Sequence, residues 1–412
     1  MMISRTRVSI ALVAALLYTF GGAVSPSELS PRTMEGSGGV ASASNNTAPS
    51  FGDPLPGLSP SQLAAFDDGL GDFQEVDTPA TGLGPVFNNV SCVACHSVPA
   101  PGGGSTIVET RFGRLIGGHF DPLTTLGGSL LQDKAIEPSA QEVIPPEANI
   151  VAKRITTPLF GAGLIEAIPD AAILVNAIIR RPDGISGRAS IVTDVVSGRL
   201  RVGRFGWKAQ QATLLAFSGD AYLNEIGVTS RFFPQENPPN GNAALLAQYD
   251  MVADPEDVVD PATGRSDIDA FADFMRLLAP PPALPLSVAA GAGKSLFSQI
   301  GCSNCHVPSM ITAPNAIPAL NRKPVALYSD LLLHDMGSLG DGIGQAAASP
   351  QEMRTAPLWG LRVRSAYLHD GRAATVDAAI LLHDGEARIT RNRYAALSAT
   401  QKQQLLQFLG SI

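Results

Sequence analysis

The clearest patterns of hydrophobic and polar residues along the chain predict two pairs of helices. Apolar residues recur at three- and four-residue steps in 268–278 and again in 404–409. That spacing aligns them in one stripe that packs against a core. Shorter helical segments with a Gly-x-x-x-Phe step come earlier, at 62–73 and 288–299. Each half of the chain is therefore predicted to begin and end with a helix.

Residues 181–265 have a different pattern, rich in glycine and proline and interrupted by alternating stretches. The stretches 191–196 and 200–202 alternate in the way that strands do, and their separation favours a β-hairpin. We therefore predict that the first half carries a Gly/Pro-rich, partly β insert at about 181–265.

A proline-rich run separates the two halves. Proline stops a helix and stiffens a linker, and residues 279–285 read Ala-Pro-Pro-Pro-Ala-Leu-Pro. We therefore predict an N-terminal module at 61–280 and a C-terminal module at 286–412. Similar segments at 154–161 and 354–360 each run from Arg to Pro-Leu-aromatic-Gly. They indicate an internal duplication, or else two unrelated turns of similar chemistry.

The N-terminus is typical of a secretory signal peptide. Arg5 and Arg7 precede an apolar run at 8–20, and small residues follow it. A run of about 13 residues is shorter than the roughly 20 that span a bilayer, which favours cleavage over a membrane anchor. We predict a signal peptide at 1–25, a flexible leader at 26–60, no stable membrane span and a periplasmic location.

Composition and charge narrow the possible partners. The 412 residues are 45% hydrophobic and 16% charged, which is sufficient for packed cores. A formal net charge of -8 provides no basic surface for nucleic acid, so we expect no nucleic-acid binding. An acidic surface suits a basic or neutral redox partner.

All four cysteines fall in two copies of one motif. The motif is Cys-x-x-Cys-His, and its members are Cys92, Cys95 and His96, then Cys302, Cys305 and His306. This is the attachment signature of haem c, in which two thiols bond to one porphyrin and the histidine ligates its iron. A thioredoxin-like pair or half of a zinc site would not require the histidine in both copies. We therefore predict two covalently bound haem c groups.

Several longer segments resemble a known family. They are 84–88, 127–132, 163–170, 205–209, 328–337, 355–362, 367–372, 375–380 and 383–387. Together they make the chain similar to the di-haem oxidoreductase (thiol oxidoreductase-like) family, which is related to the bacterial di-haem cytochrome c peroxidases. With the helix pattern, the resemblance implies a mainly α fold of two tandem cytochrome c-like haem modules, with the insert in the first.

The resemblance also implies a ligand for the second haem, on the face opposite His306. His383 occupies the position where related peroxidases have a methionine, so we expect His383 to bind this iron. Met336 is the alternative ligand. The other interpretation of His383 is that it binds no metal and lies on the surface or in the core.

The first haem has two candidate residues near it. His119, in a glycine-rich loop, is a possible distal ligand or an ordinary surface histidine. Without it, the first iron has an open position for peroxide or oxygen. The resemblance implies a distal acid/base glutamate at Glu166, because peroxide cleavage requires a proton to move between the peroxide oxygens. The alternative is a glutamate at the entry of a helix.

Two further features follow from the resemblance. His369 corresponds to a residue that lies between the haems near a propionate, which implies an electrostatic and catalytic role. The alternative is that His369 belongs to a structural turn. His334 is a second candidate for the electrostatic and catalytic role. The related peroxidases often hold calcium between their modules, and here Ala366 replaces a proline of their pattern.

The expected activity is reduction of hydrogen peroxide at the first haem. Electrons would enter through the second haem from a small soluble donor, such as a cytochrome c or a cupredoxin. Two alternatives remain at this stage. One is an electron carrier with both irons six-coordinate, and the other is an oxygenase or partner-oxidising enzyme on the same scaffold.

The first testable prediction concerns haem stoichiometry. Denaturation in alkaline pyridine should report two covalently bound haems per chain, and Cys302→Ser should impair only the second attachment. If the parent protein contained one haem per chain and Cys92→Ser left that number unchanged, the first motif would have a structural role and would not attach haem.

Overall fold

The computed structural model describes residues 48–412. The predicted signal peptide at 1–25 and the leader as far as residue 47 lie outside the described residues. The helices are α1 (Pro60–Gln74), α2 (Cys92–Cys95), α3 (Ala162–Glu166), α4 (Asp170–Ile178), α5 (Leu214–Ala221), α6 (Ala243–Tyr249), α7 (Asp267–Leu277), α8 (Val288–Gln299), α9 (Val376–Leu381), α10 (Arg388–Ala395) and α11 (Ala399–Leu409). A π-helical turn, Tyr222–Ile226, follows α5.

The strands are short apart from two in the first half. They are β1 (Val86–Phe87), β2 (Val108–Ile116), β3 (His119–Asp121), β4 (Leu130–Leu131), β5 (Lys134–Ala135), β6 (Ile150–Ile155), β7 (Ser190–Thr193), β8 (Leu200–Gly203), β9 (Met310–Ile311), β10 (Pro324–Val325), β11 (Leu333–Asp335) and β12 (Glu352–Arg354). No helix among residues 48–412 is long and apolar enough to cross a membrane.

The four predicted helices are present and form two pairs, α1 with α7 and α8 with α11. A Cβ atom at Gly69 would collide with the backbone of α7, and one at Gly293 would collide with the backbone of α11. The glycine of each Gly-x-x-x-Phe step therefore permits a close helix crossing. The phenylalanine packs in the same crossing: Phe73 lies 4.8 Å from Phe274 between ring centroids.

The first half contains more sheet than its sequence pattern indicates. β2 pairs antiparallel with β3, β4 and β6, and the predicted hairpin is present as β7 and β8. About 34% of the described chain is helical and 16% extended, so the expected mainly α class is only loosely supported. The sheet was missed because β2 does not alternate: its central residues Phe112 and Gly113 are both buried.

The end of the predicted leader is folded. Leu55 is buried, and its backbone N–H donates to the Leu277 carbonyl at 2.7 Å. The Phe51 ring packs edge-on against Phe160. The flexible leader predicted for 26–60 is therefore corrected over its last residues, because apolar side chains there find partners at the end of α7.

A buried ion-pair cluster joins the two halves. The Asp341 carboxylate lies 2.7 Å from the Arg154 guanidinium and 2.9 Å from the Lys208 ammonium. All three side chains are almost fully buried, with exposures of 1%, 2% and 0%. Burial lowers the pKa of Lys208 to about 8, against the opposing charge of Asp341. Residues 48–412 form one compact unit, and the module boundary at 280–286 remains a prediction.

Removing the shared anion should destabilise the protein. Asp341→Asn leaves Arg154 and Lys208 buried beside a neutral amide, so the free energy of unfolding should fall by about 3–5 kcal/mol. Guanidinium unfolding of the haem-loaded protein measures the change. Asp133→Asn, at an exposed carboxylate, is the matched control. A loss under about 1 kcal/mol for Asp341→Asn would mean that the cluster does not hold the halves together.

Candidate functional site

Each Cys-x-x-Cys-His motif lies in the wall of a large cavity. The first cavity, of about 1230 Å³, is lined by the first motif and by residues that include Glu109, Arg111, Trp207, Gln210, Glu225 and Met275. The second cavity, of about 1350 Å³, is lined by the second motif and by residues that include Trp207, His334, Met336, Arg354, His369 and His383.

Both motif histidines are held in the same way. The His96 Nδ1 donates to the Gly103 carbonyl at 3.1 Å, and the His306 Nδ1 donates to the Tyr328 carbonyl at 3.0 Å. Such a bond fixes the tautomer and leaves Nε2 available to a metal. Burial lowers the pKa of both imidazoles to about 4, which keeps them neutral as ligation requires.

The cysteines fit covalent attachment of a porphyrin. Both thiols of each motif are unpaired and line the same cavity as their histidine. Burial raises the pKa of Cys92 and Cys302 to about 12, so neither is a thiolate at neutral pH. These thiols are therefore unlike the low-pKa cysteines of redox catalysts.

Two buried arginines indicate where a bound group carries negative charge. Arg354 and Arg364 line the second cavity and form no ion pair within the described part of the chain. The Arg364 Nε is buried without a hydrogen-bond partner. Burial lowers the pKa of each guanidinium to about 10, and the nearby positive charge of Arg364 further lowers the pKa of Arg354. The carboxylates of haem propionates would satisfy this cationic pair.

The second cavity brings together both ligand candidates for the second iron. His383 and Met336 line it with His306. The His383 Nδ1 donates to the Ala379 carbonyl one turn earlier, at 2.8 Å, which leaves Nε2 as the free nitrogen. Burial lowers the pKa of His383 and so favours its neutral form. His383 therefore has the same arrangement as the two motif histidines.

The other two histidines of this cavity are fully buried. The His334 ring lies between two carboxylates, 3.1 Å from Asp330 and 2.8 Å from Glu386. Burial lowers its pKa, but these hydrogen bonds outweigh burial and raise the pKa overall, so His334 is a cation with both nitrogens engaged. His369 lies 6.3 Å from Trp207 between ring centroids, and burial lowers its pKa.

Trp207 is shared by the two cavities. Its indole N–H donates to the Ile155 carbonyl at 3.0 Å, which fixes the ring. No motif in the sequence indicates a functional role for Trp207. Its position beside His369 makes it the aromatic contact between the two sites.

The first cavity contains a cluster of acids and arginines that the sequence did not reveal. Glu109 and Arg111 lie two residues apart on β2, and their side chains pair at 3.0 Å. Arg154 is the cross-strand partner of Glu109 on β6, and its guanidinium lies 3.7 Å from the same carboxylate. Glu225, on the π-helical turn, accepts from Asn88 at 2.7 Å.

The two glutamates of this cluster have opposite protonation. Burial, and then the nearby Glu109 carboxylate, raise the pKa of Glu225 to about 8. Burial opposes ionisation of Glu109, but Arg111 and Arg154 outweigh it and lower the pKa. At neutral pH Glu225 therefore carries a proton, and Glu109 is an anion. Two such groups in one cavity are a typical acid/base arrangement.

Two predicted residues of the first site lie elsewhere. Glu166 does not line the cavity; Arg276 binds one carboxylate oxygen at 2.7 Å and the Leu214 N–H donates to the other at 2.8 Å. His119 is exposed and pairs with Ile116 beyond the β2–β3 turn. At about 3.3 Å per residue, that end of β2 lies about 23 Å from Glu109. The structure therefore does not bring Glu166 or His119 into the first cavity, and their distal roles stay predictions.

A family model described as "Di-haem oxidoreductase, putative peroxidase" matches residues 142–412. No curated protein matches the chain.

Among solved structures, hydrazine synthase of Kuenenia stuttgartiensis is 15% identical, covers 93% of this chain and 100% of its own, and has a TM-score of 0.41. The diheme peroxidase BthA of Burkholderia thailandensis is 15% identical, with 86% of both chains covered and a TM-score of 0.40. A MauG-like protein associated with microbial copper homeostasis is 18% identical, with 66% of this chain and 91% of its own covered and a TM-score of 0.30. These similarities are too distant to establish a function.

Replacing His383 tests its role as a ligand. His383→Gly removes the imidazole, so one haem should become high-spin while both stay attached, and the second haem's potential should rise. Electron paramagnetic resonance and magnetic circular dichroism of the oxidised protein report the spin states. His119→Gly is the control and should leave both spectra unchanged. If the spectra of His383→Gly matched those of the parent protein and Met336→Leu acquired a high-spin haem, Met336 would be the ligand.

Proposed function

The chain belongs to the di-haem oxidoreductase family, and from this premise we propose that it is an exported di-haem c enzyme that reduces hydrogen peroxide in the first cavity. The observation that carries the proposal is the Glu109–Glu225 pair, one ionised and one protonated, in the wall of that cavity. Peroxide reduction consumes two electrons and two protons per peroxide and yields two waters. A buried proton donor is therefore required beside the oxidant.

The haem groups would be held by the two motifs. His96 and His306 would ligate the irons through Nε2, and the four cysteines would form thioethers. When bound, haem c supplies an iron that exchanges electrons and activates a small oxidant. The propionate charges would meet Arg354 and Arg364, which lack another anionic partner within residues 48–412.

Glu225 would act as the acid of the first cavity. Its proton lies in a low-dielectric site beside the Glu109 anion. Glu109 would take a proton from the bound peroxide and Glu225 would give one to the oxygen that leaves, while the two protons consumed overall would enter from solvent. Arg111 would hold Glu109 in its anionic form and stabilise negative charge that develops on the departing oxygen. Gln210, whose side-chain carbonyl oxygen is buried without a partner, would accept a hydrogen bond from the substrate.

The second cavity would handle electrons instead of substrate. His383 or Met336, which both line this cavity, would give its iron a second ligand of the kind that electron-transfer haems use. Trp207 and His369 would provide the shortest aromatic route from this site to the first cavity. The donor would be a small soluble protein, a cytochrome c or a cupredoxin, that suits an acidic surface in the periplasm.

The main alternative is an electron carrier, which needs two strong ligands on each iron. Among the described residues that line the first cavity, the side chains that could ligate an iron, besides His96 and the two cysteines of the motif, are Met275 and Tyr222. Tyr222 also lines the cavity, but its hydroxyl contacts Asp77 at 3.2 Å. An acid/base cluster has no purpose in a carrier. The cluster therefore favours an enzyme.

The pH dependence of turnover tests the role of Glu225. As pH rises through about 8, Glu225 loses the proton that it must donate, so peroxide turnover with a reduced cytochrome donor should fall. Glu225→Gln should lower kcat by about 10²–10⁴-fold and abolish this alkaline limb. Stopped-flow turnover from pH 5 to 9 measures both effects.

Glu166→Gln is the matched comparison, because it changes a glutamate outside the cavity. Its rate and pH profile should remain parental. The acid would be Glu166 if the two variants behaved in the opposite way. A parent with two low-spin haems and no turnover of peroxide would instead be an electron carrier, and a high-spin first haem without turnover would point to oxygen or a partner protein as the substrate.

A further inference from the structure

Three carboxylates meet in the first half, away from both cavities. Glu236 lies in the loop before α6, and Asp254 and Glu256 lie in the loop before α7. One oxygen of each lies within 4.8 Å of an oxygen of the other two. None of the three forms an ion pair with a basic residue in the part of the chain that the structure describes.

Glu236 is the unusual member of this cluster. Its exposure is only 7%, and neither of its carboxylate oxygens has a hydrogen-bond partner among residues 48–412. A buried carboxylate without hydrogen bonds or a counter-ion is strongly disfavoured.

The other two carboxylates are oriented by one threonine. The Thr229 N–H donates to Glu256 Oε2 at 2.7 Å, and its hydroxyl donates to Asp254 Oδ1 at 2.7 Å. The same hydroxyl also contacts Glu256 Oε2. Because a hydroxyl has a single hydrogen, Thr229 cannot satisfy both carboxylates through it. The threonine therefore positions the acids without neutralising them.

We propose that Glu236, Asp254 and Glu256 bind a divalent cation, and that the metal that fits best is calcium. All three ligands are carboxylate oxygens, which hard cations prefer, and the cluster has no imidazole or thiolate for zinc or copper. Calcium accepts irregular oxygen geometry and completes its shell with water or carbonyl groups, whereas magnesium requires a near-ideal octahedron.

This site differs from the calcium that the family resemblance implies between the modules. All three ligands belong to the first half, and two of them, Glu236 and Glu256, lie against the segment that leads to β1 and the first motif. A Cβ atom at Gly84 would lie 2.7 Å from Glu236 Oε1, and one at Gly82 would lie 2.6 Å from the Glu256 Cβ. A bound cation would therefore fasten the two acidic loops against residues 82–84 and stabilise the first half.

Calcium titration of the haem-loaded, full-length protein tests the proposal. After chelator treatment, isothermal titration with calcium chloride should show a site that Glu236→Gln and Asp254→Asn both lose. Calcium should raise the Tm of the parent by several degrees in preference to magnesium, and it should raise the Tm of these variants less. Glu137→Gln, at an exposed glutamate, is the control and should bind calcium as the parent does.

Two results would overturn the site. One is that the parent protein binds no calcium and Glu236→Gln is as stable as the parent in chelator. That result would mean that Glu236 is a protonated core residue and not a metal ligand. The other is calcium binding that persists with the same stoichiometry in both variants. If Glu236→Gln does not fold, Asp254→Asn decides the question alone, since Asp254 is exposed and tolerates an isosteric amide.

Discussion

The buried carboxylate of Asp341, shared by Arg154 and Lys208, is the interaction on which the arrangement of the two sites depends. Both cations come from the first half and the anion from the second, and water reaches none of them. A buried ion pair adds little net stability, because desolvation costs about as much as the attraction returns. Its value is specificity: any other docking of the halves would leave a buried charge unpaired.

The same residues also build the first cavity and the contact between the cavities. Arg154 faces Asp341 on one side and Glu109 on the other, so one guanidinium both joins the halves and helps to keep Glu109 ionised. Lys208 follows Trp207 directly, and the Trp207 indole is bonded to Ile155, the neighbour of Arg154. The position of the shared tryptophan is therefore set by the ion pairs on both sides of it.

Local patterns in the sequence were sufficient for the helices and the attachment motifs, and insufficient for the first cavity. The glycine at Gly69 could be recognised because close helix packing repeats at a fixed step from an aromatic residue. Glu109 and Glu225 carry no such signal, since they are far apart in the chain and only the folded sheet and the π-helical turn bring them together. Alignment by resemblance selected Glu166, whose carboxylate is occupied by Arg276.

The two cavities differ because the first half contains a larger sheet. β2 and β6 supply Glu109, Arg111 and Arg154 as a cross-strand group, while the sheets formed among strands of the second half are two-stranded and bring no acid into the second cavity. In place of acids, that cavity presents His383 with one nitrogen free. On the proposed function, the two halves would carry two chemistries: neutral ligands favour reversible electron exchange in one, and paired acids favour proton delivery in the other. Because reduction of a small oxidant needs both, the ion pairs that hold the halves together would then matter to catalysis as well as to folding.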